Sequence, residues 1–180
     1  MQPHLSLISV ALFSAVLAQP AHAEDFYVEG FVGGLFSEET DDFTTTDRIW
    51  SGTLGARAGY DWTENFSLEA ELQTSLNEER LYVGADGSHV SMRSNAAVFG
   101  RFALPLNERL SLHGRIGFAS TEFETNINSS EYIDTYDGGA YGLGGAFDVT
   151  DKVYIRGDLT RYDTGAVESD SVTLGAGFKF

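Results

Sequence analysis

The stretch Phe66-Ser67-Leu68-Glu69-Ala70-Glu71-Leu72-Gln73-Thr74-Ser75-Leu76 alternates between two kinds of residue. Phe66, Leu68, Ala70, Leu72, Thr74 and Leu76 share one face, and Ser67, Glu69, Glu71, Gln73 and Ser75 share the other. A period of two is the pleat of a β-strand, because successive Cβ atoms point to opposite sides. The pattern recurs further on, where Val153, Ile155, Gly157 and Leu159 oppose Tyr154, Arg156, Asp158 and Thr160. It closes the chain, where Val172, Leu174, Ala176, Phe178 and Phe180 oppose Ser171, Thr173, Gly175, Gly177 and Lys179. No helical period is sustained after residue 23. The same test predicts eight strands, near 26–36, 49–61, 66–77, 92–104, 109–121, 138–148, 153–162 and 171–180.

The connections alternate in length. Those at 62–65, 105–108 and 149–152 are tight, and those near 37–48, 78–91, 122–137 and 163–170 are long. The tight ones expose a repeat. Gly59-Tyr60-Asp61-Trp62-Thr63-Glu64-Asn65-Phe66 parallels Ala146-Phe147-Asp148-Val149-Thr150-Asp151-Lys152-Val153, with a looser copy around Pro105-Leu106-Asn107-Glu108. The unit is an antiparallel hairpin spaced by roughly 40–45 residues, a period shared with propeller blades. Three hairpins with a first and a last strand are too few for a propeller. They suit one closed up-and-down meander of eight strands.

Two such barrels exist. A soluble lipocalin-type barrel turns its apolar face inward, and a membrane barrel turns it outward. The polar face here carries Glu29, Arg57, Glu69, Glu71, Arg101, Arg115, Arg156, Asp158 and Lys179. It also carries Gly33, Gly55, Gly59, Gly117, Gly142, Gly144, Gly175 and Gly177. Long charged residues beside glycines fill a narrow lumen, whereas glycine on a solvent face only weakens a strand. Charges in such an interior must pair. Glu29, Glu69, Glu71 and Asp158 are therefore expected to meet Arg57, Arg101, Arg115, Arg156 and Lys179. Trp50, Tyr60, Trp62, Phe66, Phe102, Phe118, Tyr141, Phe147, Phe178 and Phe180 would face lipid, several of them near strand ends where aromatic girdles form. The fold class predicted is all-β, an eight-stranded antiparallel transmembrane β-barrel. The soluble carrier stands as the alternative.

The 180-residue chain has no cysteine, which excludes disulfides, thiol catalysis and cysteine-ligated metals. Its formal net charge is -16, from 11 basic and 27 acidic side chains, so a nucleic-acid partner is not expected. Aromatics at 13% are too many for a disordered acidic chain. The one long apolar run, Leu5 to Ala18, is too short to span a bilayer as a helix. It leads into Ala21-His22-Ala23, a signal-peptidase site, although no Lys or Arg precedes it. Residues 1–23 are thus expected to be a signal peptide cleaved after Ala23, and 24–180 the barrel domain.

The C-terminal pattern Thr173-x-Gly175-x-x-Phe178-x-Phe180 resembles the terminal assembly signal of Gram-negative outer-membrane proteins. With Phe26-Tyr27-Val28-Glu29-Gly30-Phe31-Val32-Gly33 and the turn Tyr60 to Glu71, residues 24–180 resemble the OmpA/OmpX-like outer-membrane β-barrel family. The resemblance implies insertion by the outer-membrane assembly machinery through the last strand. It also implies periplasmic termini and short turns, and long surface loops among lipid and lipopolysaccharide. The sequence stops at Phe180, without the peptidoglycan-binding domain of the full OmpA type, so no cell-wall anchor is expected.

The long connections are acidic. They carry Glu38, Glu39, Asp41, Asp42 and Asp47, then Glu122, Glu124, Glu131, Asp134 and Asp137, then Asp163, Glu168 and Asp170. They could bind divalent cations or a basic surface partner, but no EF-hand spacing is present. The plainer reading is a solvated, repulsive surface. His89-x-Ser91 with Ser94-Asn95 faintly resembles the arrangement of outer-membrane lipid A deacylases, but Phe102-Ala103-Leu104-Pro105 stands where the acid partner belongs. His113, beside Arg115 on the polar face, reads as lumen filling. The chain is accordingly expected not to be an enzyme and to need no cofactor or metal. The expected role is structural, envelope-stabilising or surface-contacting. Adhesion and a minor gated pore are the alternatives.

Overall fold

The computed structural model describes residues 25–38, 48–76, 89–127, 130–163 and 168–180. Eight strands occupy them: β1 (Phe26–Glu38), β2 (Arg48–Asp61), β3 (Phe66–Ser75), β4 (His89–Pro105), β5 (Leu110–Ile127), β6 (Ser130–Asp148), β7 (Val153–Asp163) and β8 (Glu168–Lys179). Each pairs antiparallel with its sequence neighbour, and β1 pairs with β8 from Tyr27↔Lys179 to Glu38↔Glu168, so the sheet closes into a barrel.

The repeat seen in the sequence is a turn of one construction. Thr63 Oγ1 accepts from the amides of Asn65 and Phe66, Asn107 Oδ1 from Arg109 and Leu110, and Thr150 Oγ1 from Lys152 and Val153. A short polar side chain thereby takes up backbone donors that the ladder cannot reach. All three turns lie at the end of the barrel that holds residue 26 and the C-terminus.

At the other end the sequence-based boundaries need correcting. The segment 122–137 is not a loop: β5 runs to Ile127 and β6 starts at Ser130, so Glu122, Glu124, Glu131, Asp134 and Asp137 lie on strands. The connection at 163–170 likewise shrinks, because β8 starts at Glu168. Between Glu122 and Asp137 apolar and polar residues do not alternate. Without that alternation the sequence reads as loop. Glu39, Asp41, Asp42 and Asp47 lie outside the described residues.

The two faces decide between the barrels. Ile116 and Phe118 are 72% and 73% exposed, while Arg57 and Arg156 are each 2% exposed. Leu54, Leu72, Leu143, Leu159 and Leu174 join the exposed apolar wall. An inward apolar face, as in a lipocalin, is ruled out. Among the aromatics expected outside, Tyr60 is half-buried, its ring 4.9 Å from that of Phe26, and the others are exposed.

Candidate functional site

Among the described residues, chemistry-bearing side chains converge in the lumen. Neighbouring strands bring Glu29, Arg57 and Glu71 into one row, since Glu29 pairs with Arg57 and Arg57 with Glu71 in the sheet register. The Arg57 guanidinium reaches Glu29 at 2.6 Å, Glu71 at 2.7 Å and Asp158 at 3.3 Å. Arg115 meets Glu71 at 2.7 Å and also donates to Thr160 Oγ1. Arg156 meets Glu69 at 2.5 Å and Asp158 at 2.9 Å. Arg101 lies 3.2 Å from Glu69 and 3.3 Å from Asp61, nearer the tight-turn end.

Each carboxylate also meets a ring that bears a polar atom. Tyr154 donates to Glu29 at 3.1 Å, Tyr27 to Glu69 at 2.6 Å and Tyr162 to Glu71 at 2.8 Å. His113 Nε2 lies 2.7 Å from Asp158. Four carboxylates face four guanidiniums here, so the cluster is close to electroneutral. Phe31 and Phe99 lie against it, with Arg57 5.1 Å from the Phe31 ring centre and Arg115 4.3 Å from that of Phe99.

Glycine supplies the room. A Cβ at Gly144 would come within 2.6 Å of His113 Nε2 and 2.7 Å of Asp158 Oδ1, and one at Gly59 would collide with the Tyr27 ring. Side chains of this size fit a lumen only eight strands wide because the facing positions are empty.

Of the expected lumen residues, one lies elsewhere. Lys179 stands at the rim and pairs with Asp148 at 2.7 Å, because β8 ends there. It borders a cavity of about 160 Å³ at the tight-turn end, lined also by Tyr27, Arg101, Asp148, Tyr154 and Arg156. Tyr154 stands on the polar face as the sequence predicts, while Tyr27, Phe31, Phe99 and Tyr162 are further inward aromatics that an apolar-versus-polar sorting misses. Their parity with Glu29, Arg101 or Arg156 was the available signal.

The remaining candidates are dispersed. Ser94 points out of the barrel and bonds Glu122 at 2.9 Å, whereas Asn95 is buried inside. The side chains of His89 and Ser91 lie outside the described residues. Among the described residues, no group of three or more His, Asp or Glu side chains is placed to hold a metal ion. On the last strand Thr173 and Gly175 face inward, while the exposed rings of Phe178 and Phe180 lie edge to face, 5.4 Å apart.

An apolar belt around a charge-filled, closed, eight-stranded interior is the arrangement of a transmembrane barrel. Residues 8–180 match the family described as "Outer membrane protein beta-barrel domain". The chain belongs to this family. No curated protein matches it in sequence. Among solved structures, Neisserial surface protein A superposes with a TM-score of 0.71 at 13% identity, over 90% of this chain and 100% of that one. Ail, the attachment invasion locus protein of Yersinia pestis, gives 0.62 at 16%, over 87% and 99%. A de novo designed transmembrane β-barrel gives 0.54 at 13%, over 90% and 98%. At these identities the likeness is one of fold, and the designed barrel makes plain that the fold carries no particular biology. As a member of the family, the chain is a small β-barrel protein of the bacterial outer membrane.

Proposed function

We propose that this barrel has a structural, envelope-stabilising or surface-contact role exerted through its acidic far end. In this reading residues 1–23 are a leader removed after Ala23, the tight turns face the periplasm, and the long strands face outside. Thr173, Gly175, Phe178 and Phe180 present the last strand to the assembly machinery.

The observation that carries the reading is the contrast between the two parts of the barrel. Its lumen is occupied by its own ion pairs, which favours a wall over a solute path. Its β5–β6 hairpin continues beyond the apolar band with Glu122, Asp134 and Asp137 and no basic residue between 122 and 137. Ail has been crystallised with the heparin analogue sucrose octasulfate. A polyanion of that kind would be repelled by this hairpin, so the matching partners are divalent cations bridging to lipopolysaccharide phosphate, or a basic surface.

The test compares cells lacking the protein with cells carrying Glu122→Gln, Asp134→Asn and Asp137→Asn together. Uptake of an apolar dye reads envelope integrity, and retention on a polylysine-coated surface reads contact. A rise in the first or a fall in the second is expected. No change in either, with the barrel present in the membrane, would overturn the reading.

A further inference from the structure

The closing seam between β1 and β8 is held by twelve register pairs, and a backbone ladder by itself does not distinguish one register from another two residues away. A two-residue slip keeps every side chain on its proper face. Something inside the barrel must therefore specify the register.

One cross-strand row does so by position and chemistry. Glu29 on β1 stands opposite Gly177 on β8, and Gly177 stands opposite Tyr154 on β7. The glycine leaves its inward position empty, and a Cβ there would run into the Tyr154 ring. The Tyr154 hydroxyl covers that gap and donates at 3.1 Å to Glu29, whose carboxylate leans over Gly175, the next inward position of β8. On its other side Glu29 is bonded by Arg57 of β2 at 2.6 Å. The row Arg57–Glu29–Gly177–Tyr154 thus spans the seam from β2 to β7.

We infer that Glu29 and Tyr154, meeting over the gap left by Gly175 and Gly177, form a latch that sets the register in which the first and last strands close. A slip of two residues puts Glu29 opposite Gly175 or Lys179, and the bond over Gly177 is lost in both cases. Gly177 is not part of the terminal pattern Thr173, Gly175, Phe178 and Phe180. The latch uses Gly177 together with Gly175 of that pattern, and it does not depend on the proposed surface role.

The test uses the full chain expressed in Gram-negative cells, into which cysteines can be placed singly because the chain has none. Gly30 faces outward with open space around it and pairs with Ala176. Gly30→Cys with Ala176→Cys reports the native register, and Gly30→Cys with Leu174→Cys or Phe178→Cys reports a slip. In outer-membrane fractions, Tyr154→Phe should raise the ratio of slipped to native cross-link roughly tenfold, the effect of one hydrogen bond to a carboxylate. Glu29→Gln should shift it in the same direction. Tyr162→Phe is the control: it removes an equally buried bond, to Glu71 at 2.8 Å, that does not cross the seam. The inference is overturned if Tyr154→Phe leaves the ratio at the parent value, or if Tyr162→Phe moves it as far.

Discussion

Arg57→Met is the substitution that tests the lumen most directly. Met fills nearly the same length without charge. Arg57 contacts Glu29 at 2.6 Å, Glu71 at 2.7 Å and Asp158 at 3.3 Å, with its side chain fully buried. Removing one member of a buried ion pair costs about 3–5 kcal/mol, because the partner is left uncompensated. Here no carboxylate is left bare. Glu29 keeps Tyr154, Glu71 keeps Arg115 and Tyr162, and Asp158 keeps Arg156 and His113. The loss should therefore fall at the lower end, about 3 kcal/mol, or roughly a hundredfold in the folded-to-unfolded ratio. The excess negative charge is the cause, so adding Glu29→Gln should restore part of the stability. The two changes should be non-additive by about 1–3 kcal/mol, as for residues in one network. Urea unfolding in lipid vesicles, followed by the fluorescence of Trp50 and Trp62 and by the heat-dependent shift in gel mobility, measures both. An Arg57→Met protein within ~0.5 kcal/mol of the parent, or strict additivity in the double variant, would refute the idea that these contacts act as a charge-balanced unit.

Other outcomes follow from the same geometry. Gly59→Val forces a side chain into the Tyr27 ring and should destabilise by about 1–3 kcal/mol or more, seen as a lower urea midpoint. Leu159→Lys places a charge on the apolar wall and should cost about 2–4 kcal/mol if that wall meets lipid, against little change if it meets water. Asn107→Ala removes two turn hydrogen bonds of 2.9 Å each and should cost about 1–2 kcal/mol, with hairpin refolding slowed. In planar bilayers the parent protein should show no steady conductance, and a persistently open channel would contradict a lumen filled by its own side chains.

The eight strands, their meander order and the outward apolar face were legible in the sequence, because a period of two is written residue by residue between Phe66 and Leu76 and again between Val172 and Phe180. The tight turns were legible as a repeat, since Thr63, Asn107 and Thr150 do the same work at each one. The set of charges that enter the lumen followed from parity. Which charge meets which did not. Arg57 touches Asp158 across 101 positions of chain and Tyr154 touches Glu29 across 125, and only closure of the sheet sets those distances. Closure also separated Lys179 from the cluster, by ending β8 at the rim. It placed Tyr27, Tyr154 and Tyr162 over the carboxylates, where sorting by hydropathy has no place for a buried aromatic with a polar tip. The length of β5 and β6 was likewise hidden, because residues 122–137 carry no alternation to read. Sequence by itself determined the wall, which is local and periodic. The tertiary structure decided the contents of the barrel, because those contacts exist only once the first strand has met the last.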